Sequence, residues 1–195
     1  MRRRAVLVFA AALAMLGGCE RRDAVTFNNT DITGAEFGKA LALTDHTGAK
    51  RTLADYRGKV VVVFFGFTQC PDVCPTTMTA MTQVMKLLGD DAKRVQVLFV
   101  TLDPKRDTPQ VLSAYVPAFD ARFVGLTGSE EDIARVAKDF KVFYQKSPGT
   151  TPETYSIDHS SAMYIFDPKG QVRLYARHGQ TPELLAADIA KLLKS

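Results

Sequence analysis

Apolar residues recur with different periods along this chain, and each change of period marks a new element. Residues 60–65 are six consecutive apolar positions, four of them valine, preceded by Arg57 and Gly58. A run without polar alternation predicts a strand buried on both faces. Over residues 76–88 the apolar positions Met78, Met81, Val84, Met85 and Leu88 recur at three- and four-residue spacing. That period predicts a helix with Pro75 at its first position and a stop near Gly89. Residues 95–101 predict a second apolar strand, residues 108–115 a helix capped by Thr108 with Pro109 in its first turn, and residues 123–126 a short third strand. Ser129 followed by Glu130, Glu131 and Asp132 predicts a capped helix reaching about Phe140, its carboxylates at the positive end of the dipole.

The remaining segments are shorter. Residues 142–145 are expected to pair at the sheet's edge, and the Pro-, Gly- and Thr-rich residues 146–154 to form a loop. Residues 161–166 and 172–175 flank Asp167-Pro168-Lys169-Gly170, which predicts a hairpin, and Thr181-Pro182-Glu183 opens a final helix to Leu193. Near the start of the folded part, residues 41–44 and 50–53 flank Asp45-His46-Thr47-Gly48-Ala49, a small hairpin. The order βα, βα, βα, ββ, α predicts an α/β fold with a mixed central sheet flanked by helices and an N-terminal hairpin extension. No internal repeat or low-complexity tract interrupts it.

The first residues follow another logic. Met1-Arg2-Arg3-Arg4, an apolar stretch over residues 5–16 and Leu16-Gly17-Gly18-Cys19 read as an export signal, since twelve apolar residues fall short of the roughly 20 that span a membrane. Leu16-Gly17-Gly18-Cys19 resembles a bacterial lipobox, which makes Cys19 the lipid-modified first residue of the mature chain. Residues 1–18 are then a lipoprotein-type signal peptide, residues 19–36 a polar linker, and residues 37–195 a single domain. The expected location is a membrane-anchored lipoprotein facing the periplasm. Removing residues 1–18 takes Lys+Arg from 25 to 22 against Asp+Glu of 21, so the mature charge is near +1 and no basic stripe suited to nucleic acid remains. The hydrophobic fraction of 46% suits one full core.

Cys70 and Cys74 directly follow the first core strand, at a strand-to-helix junction. Soft sulfur there can hold a soft metal or cycle between dithiol and disulfide. The helix start is expected to lower the thiol pKa. A structural disulfide would close a very small ring and contribute little stability. A dithiol in this position, within this element order, narrows the fold to a thioredoxin-like one. His159, just ahead of the predicted strand 161–166, is the candidate third ligand. Two thiolates and an imidazole suit Cu(I) and Cu(II), and zinc accepts the same donors.

Three segments, Cys70-Pro71-Asp72-Val73-Cys74-Pro75, Thr101-Leu102-Asp103-Pro104-Lys105-Arg106-Asp107-Thr108-Pro109 and Asp158-His159-Ser160-Ser161, together resemble the SCO/SenC family of copper-binding assembly proteins for cytochrome c oxidase. The resemblance runs over residues 31–193. It implies that Cys70, Cys74 and His159 are copper ligands and that the chain is a metallochaperone delivering copper to the oxidase's binuclear copper centre. The implied partners are the copper-centre subunit of the oxidase, a periplasmic copper donor and, through the lipid on Cys19, a membrane. The alternative is a thiol-disulfide reductase using Cys70 and Cys74 as a redox-active dithiol to keep the oxidase's cysteines reduced. A peroxidase of the same fold is disfavoured, since no distinct resolving cysteine remains outside the pair and no peroxidase motif is present.

Second-tier candidates are Asp72, which either tunes the site or caps the helix, and Asp103, with Asp107 beside it, which turn formation explains almost as well. Met78 could offer a thioether, but the stripe Met78, Met81, Met85 reads as core packing. His46 and His178 fall in turns and are expected to face solvent.

Overall fold

The computed structural model describes residues 25–151 and 154–194. Residues 1–18, read from the sequence as a signal peptide, and Cys19 lie outside the described residues. An eight-stranded sheet organises the molecule. Its centre is β4 (Val60–Gly66), parallel to β5 (Val95–Thr101), which is parallel to β6 (Val124–Thr127). On one side, β9 (Met163–Phe166) runs antiparallel to β4, β10 (Val172–Ala176) antiparallel to β9, and β1 (Thr30–Asp31) lies along β10. On the other side, β2 (Ala42–Asp45) pairs antiparallel with β6, and β3 (Lys50–Thr52) closes the hairpin. Every residue of β4 and β5 is buried, as their largely apolar sequences require, with Gln96 and Thr101 the buried polar residues of β5.

Helix α1 (Val73–Leu88) joins β4 to β5 and packs against α4 (Pro182–Leu192), while α2 (Pro109–Tyr115) lies on β6 and α3 (Glu130–Asp139) on β2. Thr108, Ser129 and Thr181 each cap a helix, their side chains accepting from the amides of Val111, Asp132 and Leu184. On one face of the sheet, Phe64 packs on Phe99 and Phe99 on Tyr115. On the other, Tyr164 is ringed by Phe37, Phe65, Phe140 and Tyr175 in edge contacts.

The structure departs from the sequence-based expectations at several places. Helix α1 begins at Val73, not at Thr76, which brings Cys74 into its first turn. Pro75 is tolerated there because the amide it lacks is one that no helical carbonyl would have accepted. The segment expected at the sheet's edge over residues 142–145 forms β7 (Tyr144–Ser147) instead, paired with β8 (Ser156–His159) in a separate two-stranded sheet. Strand β8 escaped prediction because only Ile157 of its four residues is buried. Finally, ordered packing starts ahead of Phe37. Asp188, fully buried on α4, accepts hydrogen bonds from the amides of Asn28 and Asn29 at 2.9–3.0 Å and from both their side chains at 2.9 Å. A buried carboxylate needs such donors, and part of the segment read as a linker supplies them. Those contacts offset its burial and hold the Asp188 carboxyl below the usual range.

The β2–β3 hairpin is tied in a similar way. Asp45, 2% exposed, accepts from Thr47 N, Thr47 Oγ1 and Ala49 N at 2.6–3.0 Å and from Arg51 Nε at 2.7 Å. His46, expected in solvent, is half-buried: its amide donates to Gly125 O and its Nδ1 accepts from Gly125 N at 3.0 Å.

Burial alone would raise the Asp45 carboxyl, but its donors outweigh that and hold it at about 2, against an ordinary 3.8. The folded value is the lower one, so this stabilisation is complete above pH ~4 and is lost as pH falls toward ~2. With Arg51 part-exposed, it amounts to about 1–2 kcal/mol. Chemical denaturation across this pH range should show the stability gap between wild type and Asp45→Asn shrinking by that amount as the medium is acidified.

Candidate metal centre

The cysteines stand where β4 ends. Leu102 N donates to Gly66 O at 2.7 Å, so the loops leaving the parallel strands β4 and β5 lie side by side. Cys70 is part-exposed on the first of these loops, Cys74 is fully buried in the first turn of α1, and both are free thiols. The amide of Cys74 donates to Cys70 Sγ at 3.4 Å, an orphan helix N–H satisfied by sulfur.

His159 ends β8 and comes to the same place, its Nε2 3.9 Å from Cys74 Sγ. Its Nδ1 is 3.0 Å from Ser160 O. A carbonyl only accepts, so Nδ1 carries the proton and Nε2 presents a lone pair toward the Cys74 sulfur. Burial lowers the pKa of this imidazole, which favours the neutral form that ligates metals. Phe64 and Phe67 flank it edge-on, at 6.4 and 6.1 Å between ring centroids.

Burial pushes the Cys74 thiol up from its ordinary value, with the Phe67 backbone opposing in part and Cys70 adding to the rise. The expected lowering by the helix start is therefore overturned for Cys74, because desolvation of the thiolate outweighs the dipole. A cation reaching this sulfur must displace its proton. A metal held at roughly 2.3 Å by sulfur and roughly 2.0 Å by nitrogen in tetrahedral geometry sets the two donors about 3.5 Å apart. Cys74 and His159 lie within a few tenths of an ångström of that spacing. Among the described residues no three His, Cys, Asp or Glu side chains stand fully assembled around a metal position, and Cys70 is part-exposed on the adjoining loop.

The other candidates separate clearly. Asp72 is exposed at the N-cap of α1, and its Oδ1 accepts from Thr76 Oγ1 at 3.2 Å rather than from a helix amide. Asp103 and Asp107 are fully buried beneath the site. Asp107 accepts from Thr68 N and Oγ1 and from Thr101 Oγ1 at 2.6–3.0 Å, tying down the loop that carries Cys70. Burial raises the Asp107 carboxyl nonetheless. Asp103 pairs with Arg106 Nε and accepts from Tyr155 Oη at 2.7 Å. Met78, Met81 and Met85 are core residues. His178 is exposed, with Nδ1 3.2 Å from Thr77 Oγ1.

Sequence reasoning passed over Gly66, Phe64, Phe67, Arg106 and Tyr155 as parts of the site. Gly66 and Arg106 lie inside or beside the motifs, but no spacing rule singles them out. Their roles depend on neighbours distant in sequence.

Residues 29–194 match the SCO1/SenC family model. The chain belongs to the SCO1/SenC family. The bovine (Bos taurus) mitochondrial SCO2 homolog is 38% identical over 152 residues, 77% of this chain and 57% of that protein, so the chain spans little more than half the length of this relative. Apo Sco1 from Thermus thermophilus is similar in structure, with a TM-score of 0.77 and 37% identity over 86% of this chain and 97% of that one. ScoI from Bradyrhizobium japonicum, solved with copper bound, gives a TM-score of 0.72 at 34% identity over 84% of this chain and 98% of that one. The thioredoxin-like α/β fold expected from the sequence is thus the fold of the SCO1/SenC proteins.

Within this SCO1/SenC site, the absence of a side chain at Gly66 makes room for the sulfur. A Cβ there would stand 2.8 Å from Cys74 Sγ and 3.0 Å from the Phe99 ring. Gly66→Ala is expected to cost about 1–3 kcal/mol by overpacking, measured by chemical denaturation of the copper-free protein.

Proposed function

We propose that this chain is a copper metallochaperone that binds one copper ion through Cys70, Cys74 and His159 and passes it to the binuclear copper centre of cytochrome c oxidase. The observation that carries this reading is the convergence of His159 on the cysteines, with Nε2 3.9 Å from the Cys74 sulfur while Nδ1 lies 3.0 Å from Ser160 O. A redox dithiol needs no such imidazole, whereas a metal needs the third donor. Two sulfurs and one nitrogen suit copper in both oxidation states, and the copper-bound Bradyrhizobium ScoI is a relative of the same fold. Copper arriving from a periplasmic donor would meet the part-exposed Cys70 first and displace the Cys74 proton as the set closes. The oxidase as client comes from the family resemblance of the three motifs.

The reading includes a lipid on Cys19 and a periplasmic location. Among the described residues no helix is long and apolar enough to cross a membrane. The chain enters the fold along the last turn of α4, where Lys191 Nζ donates to Thr26 O at 2.8 Å. That end of α4 is fastened to Arg94, just before β5, by a 2.8 Å bond from Arg94 Nη2 to Leu193 O. It is the end of the sheet opposite the cysteines, so an anchored domain would present its metal site away from the membrane and toward a client's exposed domain.

The second reading, a thiol-disulfide reductase, draws on the exposure of Cys70 next to the buried Cys74. The Cys70 thiolate would attack a client disulfide, and Cys74 would release the client dithiol, leaving a Cys70–Cys74 disulfide that an external dithiol must reduce.

Copper titration of the reduced protein against a chromophoric chelator separates the two. One copper per chain is expected, with affinity falling more than about tenfold in His159→Ala and binding abolished in Cys70→Ser/Cys74→Ser. Wild type that takes up no copper yet cycles readily between dithiol and disulfide would make the reductase the correct reading.

A further inference from the structure

The sulfur and nitrogen donors of the site reside on parts of the molecule that share no strand pairing. Cys70 and Cys74 follow β4 of the main sheet, while His159 ends β8, which among the described residues pairs only with β7. An isolated two-stranded ribbon is marginally stable by itself. His159 lies four residues before Met163, which pairs with Phe64 of β4, so the 3.9 Å separation of Cys74 Sγ and His159 Nε2 depends on that short link together with what ties the ribbon to the cysteine loop.

Arg106 makes that tie. Its Nη1 donates at 2.9 Å to Gln69 Oε1, the residue before Cys70, and at 2.9 Å to Tyr155 O, at the entry to β8. The guanidinium carbon lies over the Tyr155 ring, 3.6 Å from its centroid, and 6.0 Å from that of Phe67. Its Nε pairs with Asp103, which in turn holds Tyr155 Oη at 2.7 Å. The Arg106 side chain is 14% exposed and that of Asp103 1%, so the pair is shielded from water and salt. Asp103 N donates to Thr101 Oγ1 at 2.9 Å, and Thr101 Oγ1 donates to Asp107, the residue that holds Thr68. The loop after β5 thus grips both donor-bearing segments.

We propose that Arg106 is the positioning residue of the metal site: braced by Asp103 and stacked on Tyr155, it sets the distance between His159 and the cysteines without touching the metal. The inference rests on the metal-binding reading of the site. Only a planar fork can donate in three directions while stacking on an aromatic ring; a lysine ammonium keeps the charge and loses this geometry. Outer residues that orient metal ligands are worth about 10–100-fold in metal affinity.

The test uses the full-length protein in detergent, with Cu(I) competed against a chelator and Cu(II) followed by its sulfur-to-copper charge-transfer absorption. Arg106→Lys is expected to weaken copper binding by about 10–100-fold and to shift the Cu(II) absorption, and Tyr155→Phe to do so more weakly. In a His159→Ala background Arg106→Lys should add nothing, since the two changes remove the same contribution. Unchanged affinity and absorption in folded Arg106→Lys would overturn the proposal. So would an equal loss with and without His159, which would assign Arg106 to the fold or the cysteine loop alone. Amide hydrogen exchange in the copper-free protein provides an independent reading. Faster exchange across β8 in Arg106→Lys supports the clamp, and unchanged exchange overturns it, even if wild type takes up no copper and the functional reading itself fails.

Discussion

Everything at the functional end of this protein hangs on the parallel pairing of β4 and β5. Their registers run in step from Val60 opposite Val95 to Gly66 opposite Thr101, and every residue in both is buried. A one-residue slip would turn Phe64 and Gly66 to the opposite face of the sheet. Gly66 must face α1, because its missing side chain is the space that Cys74 Sγ uses. The same pairing ends both strands together and sets the cysteine loop against the loop of Asp103, Arg106 and Asp107. Ligand sites at the carboxyl ends of parallel strands arise from this arrangement in open α/β sheets.

Desolvation then shapes the chemistry. Cys74, Asp103 and Asp107 are fully buried within one small region, where an unpaired polar group is costly. The carboxylates are satisfied by Thr68, Thr101, Arg106 and Tyr155, and in being satisfied they immobilise the surrounding loops. Cys74 has no such complement of donors and remains a thiol, while burial keeps His159 neutral. The result is a rigid frame around a nitrogen and a sulfur that face each other, with a second sulfur part-exposed on the adjoining loop.

Much of this could be read along the chain. The unbroken apolar run at 60–65, the largely apolar run at 95–101, the helical stripe through Met78, Met81 and Met85, and the Thr-Pro helix starts all correspond to elements found, since burial and capping impose periods and local signatures. The three motifs pointed to the SCO1/SenC family. Strand β8 was missed because an edge ribbon with one buried residue leaves no periodic trace. Asn28 and Asn29 read as linker because the carboxylate they satisfy, Asp188, is about 160 residues away.

What the sequence by itself determined is therefore the set of elements, their order and the residue types offered to the site, all of which follow from local propensity and hydrophobic period. Only the tertiary structure decided which way Nε2 of His159 points, that Cys74 is desolvated into a thiol, that Gly66 leaves room for its sulfur, and that Arg106 joins Gln69 to Tyr155. These are matters of contact between segments separated by tens of residues, and such contacts are decided by sheet register and packing, which no local pattern encodes.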